Sequence, residues 1–292
     1  MNNFIYENRT KVFFGTGCVK EFLTSLVKDC DTVMMAYGEG SVKKNGIYDE
    51  ILNILIKSGK NVVEFSGIMP NPVYGKVMEG ARLAKNSGVQ LILGIGGAFE
   101  SLSHIMETYF SEPDEQNVSD EIAEALMRSV IRNTRLALDD PENYMARSNL
   151  FWDSMLSENR LIKLGKKCDF TCHLMAHQLG AYTDCNHGQA VAVLHPAYYR
   201  HIYRSGLKKF ARFARNVWGI RQNDKTDAEL AEAGIEALSG FISEIGLPKT
   251  LRELGVKDPS ELKEIADSCH YSQGSYRRLG SSEILEIFRE CY

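Results

Sequence analysis

The sequence predicts an α/β protein with two parts, a partial N-terminal domain with a parallel sheet (residues 1–98) and an all-helical domain (residues 99–292). In the first part, short apolar runs alternate with segments of helical period. Because buried parallel strands are continuous apolar runs, this alternation is typical of a parallel sheet with helices on both faces. After Gly97 the apolar residues recur at helical spacing, which predicts a second domain made of helices.

The N-terminal domain contains three predicted strands and two predicted helices. The strands are the apolar runs Thr32–Ala36, Asn61–Phe65 and Val89–Ile95. Apolar residues at helical spacing predict helices over Tyr48–Ser58 and Val77–Asn86. Each helix is followed within two residues by a glycine, the residue that most often ends a helix.

The second domain is predicted to be a succession of helices separated by short Gly, Asn or Pro segments. The first of these helices begins near Glu100. The later ones span Ser119–Ala137, Tyr144–Lys163, Phe170–Leu179, Gln189–Tyr203, Asp227–Glu244, Ser260–Ser268 and Ser281–Cys291. The sequence has no internal repeat of the length found in solenoid proteins, so a repeat architecture is excluded.

The composition narrows the class of protein. With 292 residues, 44% hydrophobic and 25% charged, the chain is neither collagen-like, nor mainly disordered, nor a small disulfide scaffold. A formal net charge of −4 argues against a nucleic-acid partner. The apolar runs are shorter than the roughly 18 residues of a membrane span, and Met1–Thr10 lacks a signal-peptide core. Seven scattered cysteines predict reduced thiols in a cytoplasmic protein.

One glutamate and four histidines are spaced as metal ligands often are. Glu100 and His104 are four residues apart at the start of a helix, so both side chains point from one face. His173 and His177 have the same spacing inside an apolar helix, and His187 follows in a predicted loop. A carboxylate and three imidazoles that converge from helices form a good coordination set for Zn²⁺ or Fe²⁺.

An alternative is that these histidines are ordinary surface or core residues held by hydrogen bonds. For a single histidine that interpretation is the better one. For the pair in the segment HLMAH both interpretations stay open, because two imidazoles are costly in an apolar stripe. The segment lacks the glutamate of the HExxH motif, so a metalloprotease mechanism would have no base.

Two glycine-rich turns follow predicted strands. In such a turn, backbone N–H groups can approach a phosphate at the start of the next helix. The alternative is a purely conformational role, since glycine is common after strands, and both interpretations stay open. The candidate cofactor-binding residues are Gly38, Glu39, Gly40, Ser41, Gly96 and Gly97.

Segments along nearly the whole chain resemble one family in its own order. They are FIYENRTKVFFGTGCV at the start, AYGEGSVKKNGIYDEIL at the first turn, MPNPVYGKVMEGARLAKNSGVQLILGIGG before the second, and then FESLSHIMETYF, DDPENYMARSNLFW, DFTCHLMAHQLGAYTDCNHG and LRELGVKDPSELKEIA. Together they resemble the iron-containing (group III) alcohol dehydrogenase family, nearest its butanol-dehydrogenase-like branch. The first segment is similar to the family's N-terminal strand.

The resemblance implies a set of roles. The ligands of Fe²⁺ or Zn²⁺ would be Glu100, His104, His173 and His187, although the family normally has Asp at the first position. His177 would be a catalytic, non-ligand histidine that relays a proton. The metal would polarise the oxygen of a small alcohol or aldehyde, and NAD(H) or NADP(H) would exchange hydride with it. Family likeness alone suggests a homodimer.

The sequence departs from the family after the second glycine turn. There the family reads GGGSxxD and continues into further strands, whereas Gly97 here runs straight into the segment Ala98-Phe99-Glu100 of the metal-site helix. The missing stretch is on the order of a hundred residues, the low end of a domain. The N-terminal domain is therefore predicted to be a truncated Rossmann-like domain, with three strands where a dinucleotide fold uses about six.

Two hypotheses about function follow, together with a lower-ranked alternative and a preferred nucleotide. The first is a metal-dependent NAD(P)H alcohol dehydrogenase or aldehyde reductase whose activity is impaired by the missing segment. The second is a non-catalytic, metal-binding or oligomer-forming remnant of the family. A glycerol- or dehydroquinate-type relative ranks lower, because the opening segment is more similar to the alcohol dehydrogenases. The charge of Glu39 would repel a 2′-phosphate, which favours NADH.

Overall fold

The computed structural model describes residues 5–8, 10–38, 41–44, 46–69, 73–95, 100–114 and 116–292. The chain divides into two compact units. The first, which we call the sheet unit, is Arg9–Gly97. The second, the helical unit, is Met1–Asn8 together with Ala98–Tyr292.

The sheet unit contains a three-stranded parallel sheet within the described residues. Its strands are β1 (Thr32–Tyr37), β2 (Asn61–Phe65) and β3 (Leu91–Ile95), in the order β2-β1-β3. The central strand reads TVMMAY, and its residues are buried on both faces of the sheet. This burial explains why the strand is an apolar run rather than an alternating one. The predicted fold class, a small parallel sheet followed by a helical domain, is confirmed.

Helices cover both faces of this sheet. They are α1 (Cys18–Leu26), α2 (Ser41–Lys44), α3 (Ile47–Lys57) and α4 (Tyr74–Asn86). Leu23 of α1 and Leu55 of α3 join Val33 and Met35 of β1 in one core. On the other face of the sheet, Phe65 is paired with Ala36. Gly80 of α4 lies so close to Phe65 that a Cβ added to the glycine would be 2.7 Å from the Phe65 ring.

The start of the sheet unit differs from what the sequence predicts. The segment FIYENRTKVFFGTGCV resembles a family strand, yet its described residues 5–8 and 10–17 form none in the structure. An extended segment is a strand only when a neighbour pairs with its backbone, and no described strand pairs with these residues. Helix α1, which the sequence analysis does not predict, follows the turn Gly15–Gly17, where both glycines have positive φ.

The helical unit carries the remaining helices of the described chain. They are α5 (Glu100–Tyr109), α6 (Val118–Asp139), α7 (Tyr144–Glu158), α8 (Thr171–Thr183), α9 (His187–Ile202), α10 (Leu207–Asn216), α11 (Asp227–Glu244), α12 (Leu262–Ser268) and α13 (Ser281–Glu290). Short 3-10 turns lie at Leu161–Lys163, Tyr203–Gly206 and Pro259–Glu261. Aromatic rings fill the core, and Phe110 stacks on Phe210 at 4.0 Å between centroids. None of the described helices is both long and apolar enough to cross a membrane.

Two helix boundaries in this unit differ from those predicted from the sequence. The helix predicted over Tyr144–Lys163 ends at Glu158, because Arg160 adopts a left-handed conformation with φ of 70°. The predicted loop around His187 is instead the first turn of α9. That helix begins there because the side chain of Asn186 caps it, accepting a hydrogen bond from the backbone N–H of Gln189 at 3.1 Å.

Candidate metal centre

Three helices of the helical unit bring their amino-terminal ends together. Glu100 is the first residue of α5, His173 is the third of α8, and His187 is the first of α9. His104 lies one turn along α5 from Glu100, on the same face. Because the amino-terminal end of a helix carries partial positive charge, this meeting point favours a carboxylate or another anionic oxygen.

The carboxylate of Glu100 lies at the centre of three imidazoles. Its Oε1 atom is 2.8 Å from Nε2 of His187, 3.5 Å from Nε2 of His104 and 3.6 Å from Nε2 of His173. The donor atoms of Glu100, His104 and His173 all lie within 4.8 Å of one another. Glu100 thus contacts all three predicted histidine ligands, and Glu100, His104 and His173 form a group compact enough to hold an ion.

The donor set fits a divalent ion. Ligand atoms at about 2.0–2.1 Å from a tetrahedral zinc lie about 3.3 Å apart. The separations from Glu100 Oε1 to His104 and His173 are close to this, at 3.5 and 3.6 Å, and the separation to His187 is shorter, at 2.8 Å. The Nε2 atoms of His173 and His187 are buried, and among the described residues they form no properly oriented hydrogen bond. Buried polar atoms without a partner are costly, and an ion at this point would give both of them one.

Two further carboxylates lie behind the imidazoles. Nδ1 of His173 contacts the Glu107 carboxylate, and Nδ1 of His104 contacts the Glu158 carboxylate. Glu107 is buried, whereas Glu158, the last residue of α7, is half exposed. In each case the contact leaves Nε2 of the imidazole facing Glu100. Neither residue is among those predicted from the sequence.

The charges of the cluster are coupled. Contacts with the three histidines hold the pKa of Glu100 far below its usual range. Burial alone would lower the pKa of His173, but contacts with Glu100 and Glu107 outweigh it and raise that pKa to about 9.

His177 lies beside the cluster and not in it. Its ring stacks on His187 at 4.7 Å between centroids and is 6.3 Å from His173. The side chain is exposed. Burial of the ring and the nearby His187 lower its pKa. A solvent-accessible imidazole next to a ligand is suited to passing protons to a bound molecule.

The candidate cofactor residues belong to the sheet unit. Gly38 directly follows β1, and Ser41 is the first residue of α2. Glu39, Gly40, Gly96 and Gly97 lie outside the described residues. Strands β1 and β3 are neighbours and end in register at Tyr37 and Ile95. The carboxyl ends of the strands are where ligands bind in open α/β sheets.

Gly38 also has a packing reason to be glycine. A Cβ added to it would lie 3.3 Å from the backbone oxygen of Ile68. The backbones approach closely here, since Ile68 donates its N–H to the oxygen of Tyr37 at 3.3 Å. The conformational interpretation of this turn therefore stays open beside the nucleotide-binding one.

Comparison with known proteins gives the family that has this fold and this histidine cluster. The sequence model described as iron-containing alcohol dehydrogenase matches residues 9–98. The model described as Fe-containing alcohol dehydrogenase family, C-terminal, matches residues 95–292. The chain belongs to the iron-containing alcohol dehydrogenase family, as its motifs predict.

Individual relatives agree with this assignment. The chain is 29% identical to NADH-dependent butanol dehydrogenase A of Clostridium acetobutylicum over 390 positions, covering 100% of both chains. It is 24% identical to the NADPH-dependent aldehyde reductase YqhD of Escherichia coli, covering 91% of this chain and 94% of that protein. The crystal structure of NADH-dependent butanol dehydrogenase A from Thermotoga maritima is similar with a TM-score of 0.90 at 25% identity, covering 100% of this chain and 99% of that one.

The comparison also bears on the missing segment. The alignment with the Clostridium protein runs over 390 positions, whereas this chain has 292 residues. The remaining positions of that alignment face gaps in this chain. The two family matches meet at residues 95–98, where the sequence analysis places the missing segment. The alignment is consistent with the predicted loss of an internal part.

Proposed function

We propose that this chain is an NAD(P)H-dependent alcohol dehydrogenase or aldehyde reductase whose divalent ion is held by Glu100, His104, His173 and His187. The observation that carries the proposal is the arrangement of donors around one point, with two buried Nε2 atoms that lack an oriented partner among the described residues. The names of the relatives support the reaction class, since they are butanol dehydrogenases and an aldehyde reductase.

A bound nicotinamide would supply the hydride that reduces the carbonyl carbon of an aldehyde, and the carbonyl oxygen would take a proton to give the alcohol. When bound, the ion supplies Lewis-acid polarisation of the substrate oxygen. His177 passes the proton, because it is exposed and stacks on His187. The amino-terminal ends of α5, α8 and α9 favour the negative charge that develops on the oxygen.

The choice of ion is between Fe²⁺ and Zn²⁺, since one carboxylate and three imidazoles suit both. Glu100 has one methylene more than the aspartate usual in the family. It nevertheless reaches all three imidazoles with a single oxygen atom. We expect this longer side chain to hold the ion less rigidly.

The proposed nucleotide is NADH. The negative charge of Glu39 in the first glycine turn would repel a 2′-phosphate, and a butanol dehydrogenase relative is NADH-dependent by name. The test is binding of NADH and NADPH to the protein and to Glu39→Gly. A preference for NADH that disappears in the variant supports this choice, and equal affinities throughout contradict it.

The experiment for the whole proposal is NAD(P)H oxidation with butanal, followed by nicotinamide absorbance after loading with Fe²⁺ or Zn²⁺. His173→Ala is the control, because it removes one proposed ligand. Turnover above this control supports the proposal. We expect low rates, because the described sheet has three strands where a dinucleotide fold uses about six.

Metal analysis together with NAD(P)H binding distinguishes the proposal from the non-catalytic alternative. A protein that holds its ion but neither binds nor oxidises NAD(P)H would be a metal-binding remnant of the family. The homodimer and the cytoplasmic location stay predictions from the sequence and family likeness.

A further inference from the structure

Glu107 occupies an unusual position behind the proposed metal centre. It lies on α5 two turns after Glu100 and one turn after His104, and its side chain is 1% exposed. Its Oε2 atom contacts Nδ1 of His173. Its Oε1 atom accepts hydrogen bonds from the backbone N–H groups of Cys172 at 2.8 Å and His173 at 3.3 Å. One carboxylate thus holds both the ring and the backbone of the same histidine.

We propose that Glu107 is the positioning residue that sets the tautomer and ring orientation of His173, so that the Nε2 lone pair faces the ion. The inference rests on the proposed function, because it assumes an ion at the histidine cluster. A carboxylate that accepts Nδ1–H keeps the proton away from Nε2. Such hydrogen-bonded partners behind a metal ligand govern both its orientation and its basicity.

The site requires an acceptor at both oxygens of residue 107. The backbone N–H groups in the first turn of α8 have no partner within the helix, and two of them are satisfied by Oε1. A glutamine has one acceptor atom. If its oxygen stays on the backbone donors, its NH₂ group faces Nδ1 of His173 and forces the proton onto Nε2, where it blocks the metal.

Glu158 provides the contrast. It is half exposed and contacts Nδ1 of His104, with Lys163 3.8 Å away. It has no pair of backbone donors to satisfy in the contacts described for it. A glutamine there can rotate its amide and still present oxygen to Nδ1. The two substitutions remove the same charge, but the first also imposes the wrong tautomer.

The test measures Zn²⁺ affinity of the metal-free protein by competition with a chelator. We expect Glu107→Gln to lower the affinity about 10- to 100-fold and Glu158→Gln to lower it much less, within about threefold. With Co²⁺ in place of Zn²⁺, the visible spectrum should change in Glu107→Gln and stay close to that of the parent in Glu158→Gln. Thermal unfolding of each metal-free variant shows whether it is folded.

The matched control is Glu124→Gln. Glu124 is also a buried carboxylate of the helical unit, bonded to Tyr109, Arg212 and Asn216. Its substitution should lower stability and leave Zn²⁺ affinity within about twofold, since no ligand in the proposed centre is among its partners. An equal loss of affinity in this control would mean that any buried carboxylate matters, which overturns the inference.

The remaining outcomes separate the inference from the proposed function. If the parent protein binds Zn²⁺ and folded Glu107→Gln binds it equally well, the inference fails and the metal centre stands. If Glu158→Gln loses as much affinity as Glu107→Gln, the effect is one of charge, and the tautomer explanation fails. If the parent protein binds no Zn²⁺ or Co²⁺, both the inference and the metal centre fail.

Discussion

Asp120→Asn should destabilise the helical unit strongly, because Asp120 faces two buried lysines. Its Oδ1 atom is 2.5 Å from Nζ of Lys166, and its Oδ2 atom contacts Nζ of Lys209. The carboxylate and Lys166 are fully buried, and Lys209 is 3% exposed. In the variant both ammonium groups stay in the helical core beside a neutral amide that has one acceptor oxygen.

The magnitude follows from the burial. Removing one partner from a buried ion pair costs about 3–5 kcal/mol, because a charge remains without compensation. Whole domains are stable by about 5–15 kcal/mol. We therefore expect Asp120→Asn to lower the free energy of unfolding of the helical unit by about 3–5 kcal/mol, which is a large part of the total.

The assay is urea unfolding followed by tryptophan fluorescence. Both tryptophans, Trp152 and Trp218, belong to the helical unit, so the signal reports that unit. The matched control is Glu244→Gln, which weakens a two-oxygen contact with Arg135 at 2.6 and 2.7 Å. Both of these side chains are half exposed, so the control should cost no more than about 1 kcal/mol.

The dependence on pH provides a second check. Burial lowers the pKa of Lys166 although Asp120 favours its charged form, so removing the carboxylate should lower that pKa further. The folded variant then binds fewer protons than the unfolded chain, and its stability rises with pH. The loss in free energy of unfolding caused by Asp120→Asn should therefore become smaller from neutral to alkaline pH. A loss in free energy of unfolding below about 1 kcal/mol, or a loss that does not change with pH, would refute the reasoning.

Three further predictions concern the ion, the proton and one glycine. Zn²⁺ at a hundredfold excess over its dissociation constant should stabilise the protein by about 2.7 kcal/mol, measured as a higher Tm that a chelator reverses; an unchanged Tm contradicts the site. His177→Phe should keep the stacking on His187 and the metal content but lower kcat at least tenfold; an unchanged kcat rules out the relay. Gly274→Ala should cost about 1–3 kcal/mol or more, because the new Cβ would lie 1.7 Å from the backbone oxygen of Lys167; urea unfolding with the parent's midpoint contradicts this.

Much of the secondary structure could be predicted where the spacing of apolar residues alone determines the bounds of a helix or strand. The predicted bounds of β2 and α11 equal the observed ones. The first turn of α11 is fixed locally, since Thr226 and Glu229 form a capping box. Helix α10 was missed although Phe210, Phe213 and Ala214 have helical spacing, because the surrounding lysines and arginines mask that pattern.

The candidate site, too, is predictable only where local spacing decides the geometry. The spacing of Glu100 and His104 is local and shows that they share a helix face. Glu107 continues that face at the next turns, so its spacing is a local signal for a third residue on the same face. The convergence of residues from α5, α8 and α9 depends on tertiary packing, so spacing indicates only candidate ligands and the family resemblance names the set. Glu158 has no local signal, because its position depends on the end of α7 at the left-handed Arg160.

The central claim is that one divalent ion is bound by a carboxylate and three imidazoles. X-ray absorption at the zinc edge of the Zn²⁺-loaded protein tests it most directly. The claim predicts nitrogen and oxygen neighbours at about 2.0–2.1 Å with the outer scattering of three imidazoles, and one imidazole fewer in His187→Ala. Sulfur neighbours at about 2.3 Å, or a spectrum that His187→Ala leaves unchanged, would contradict it.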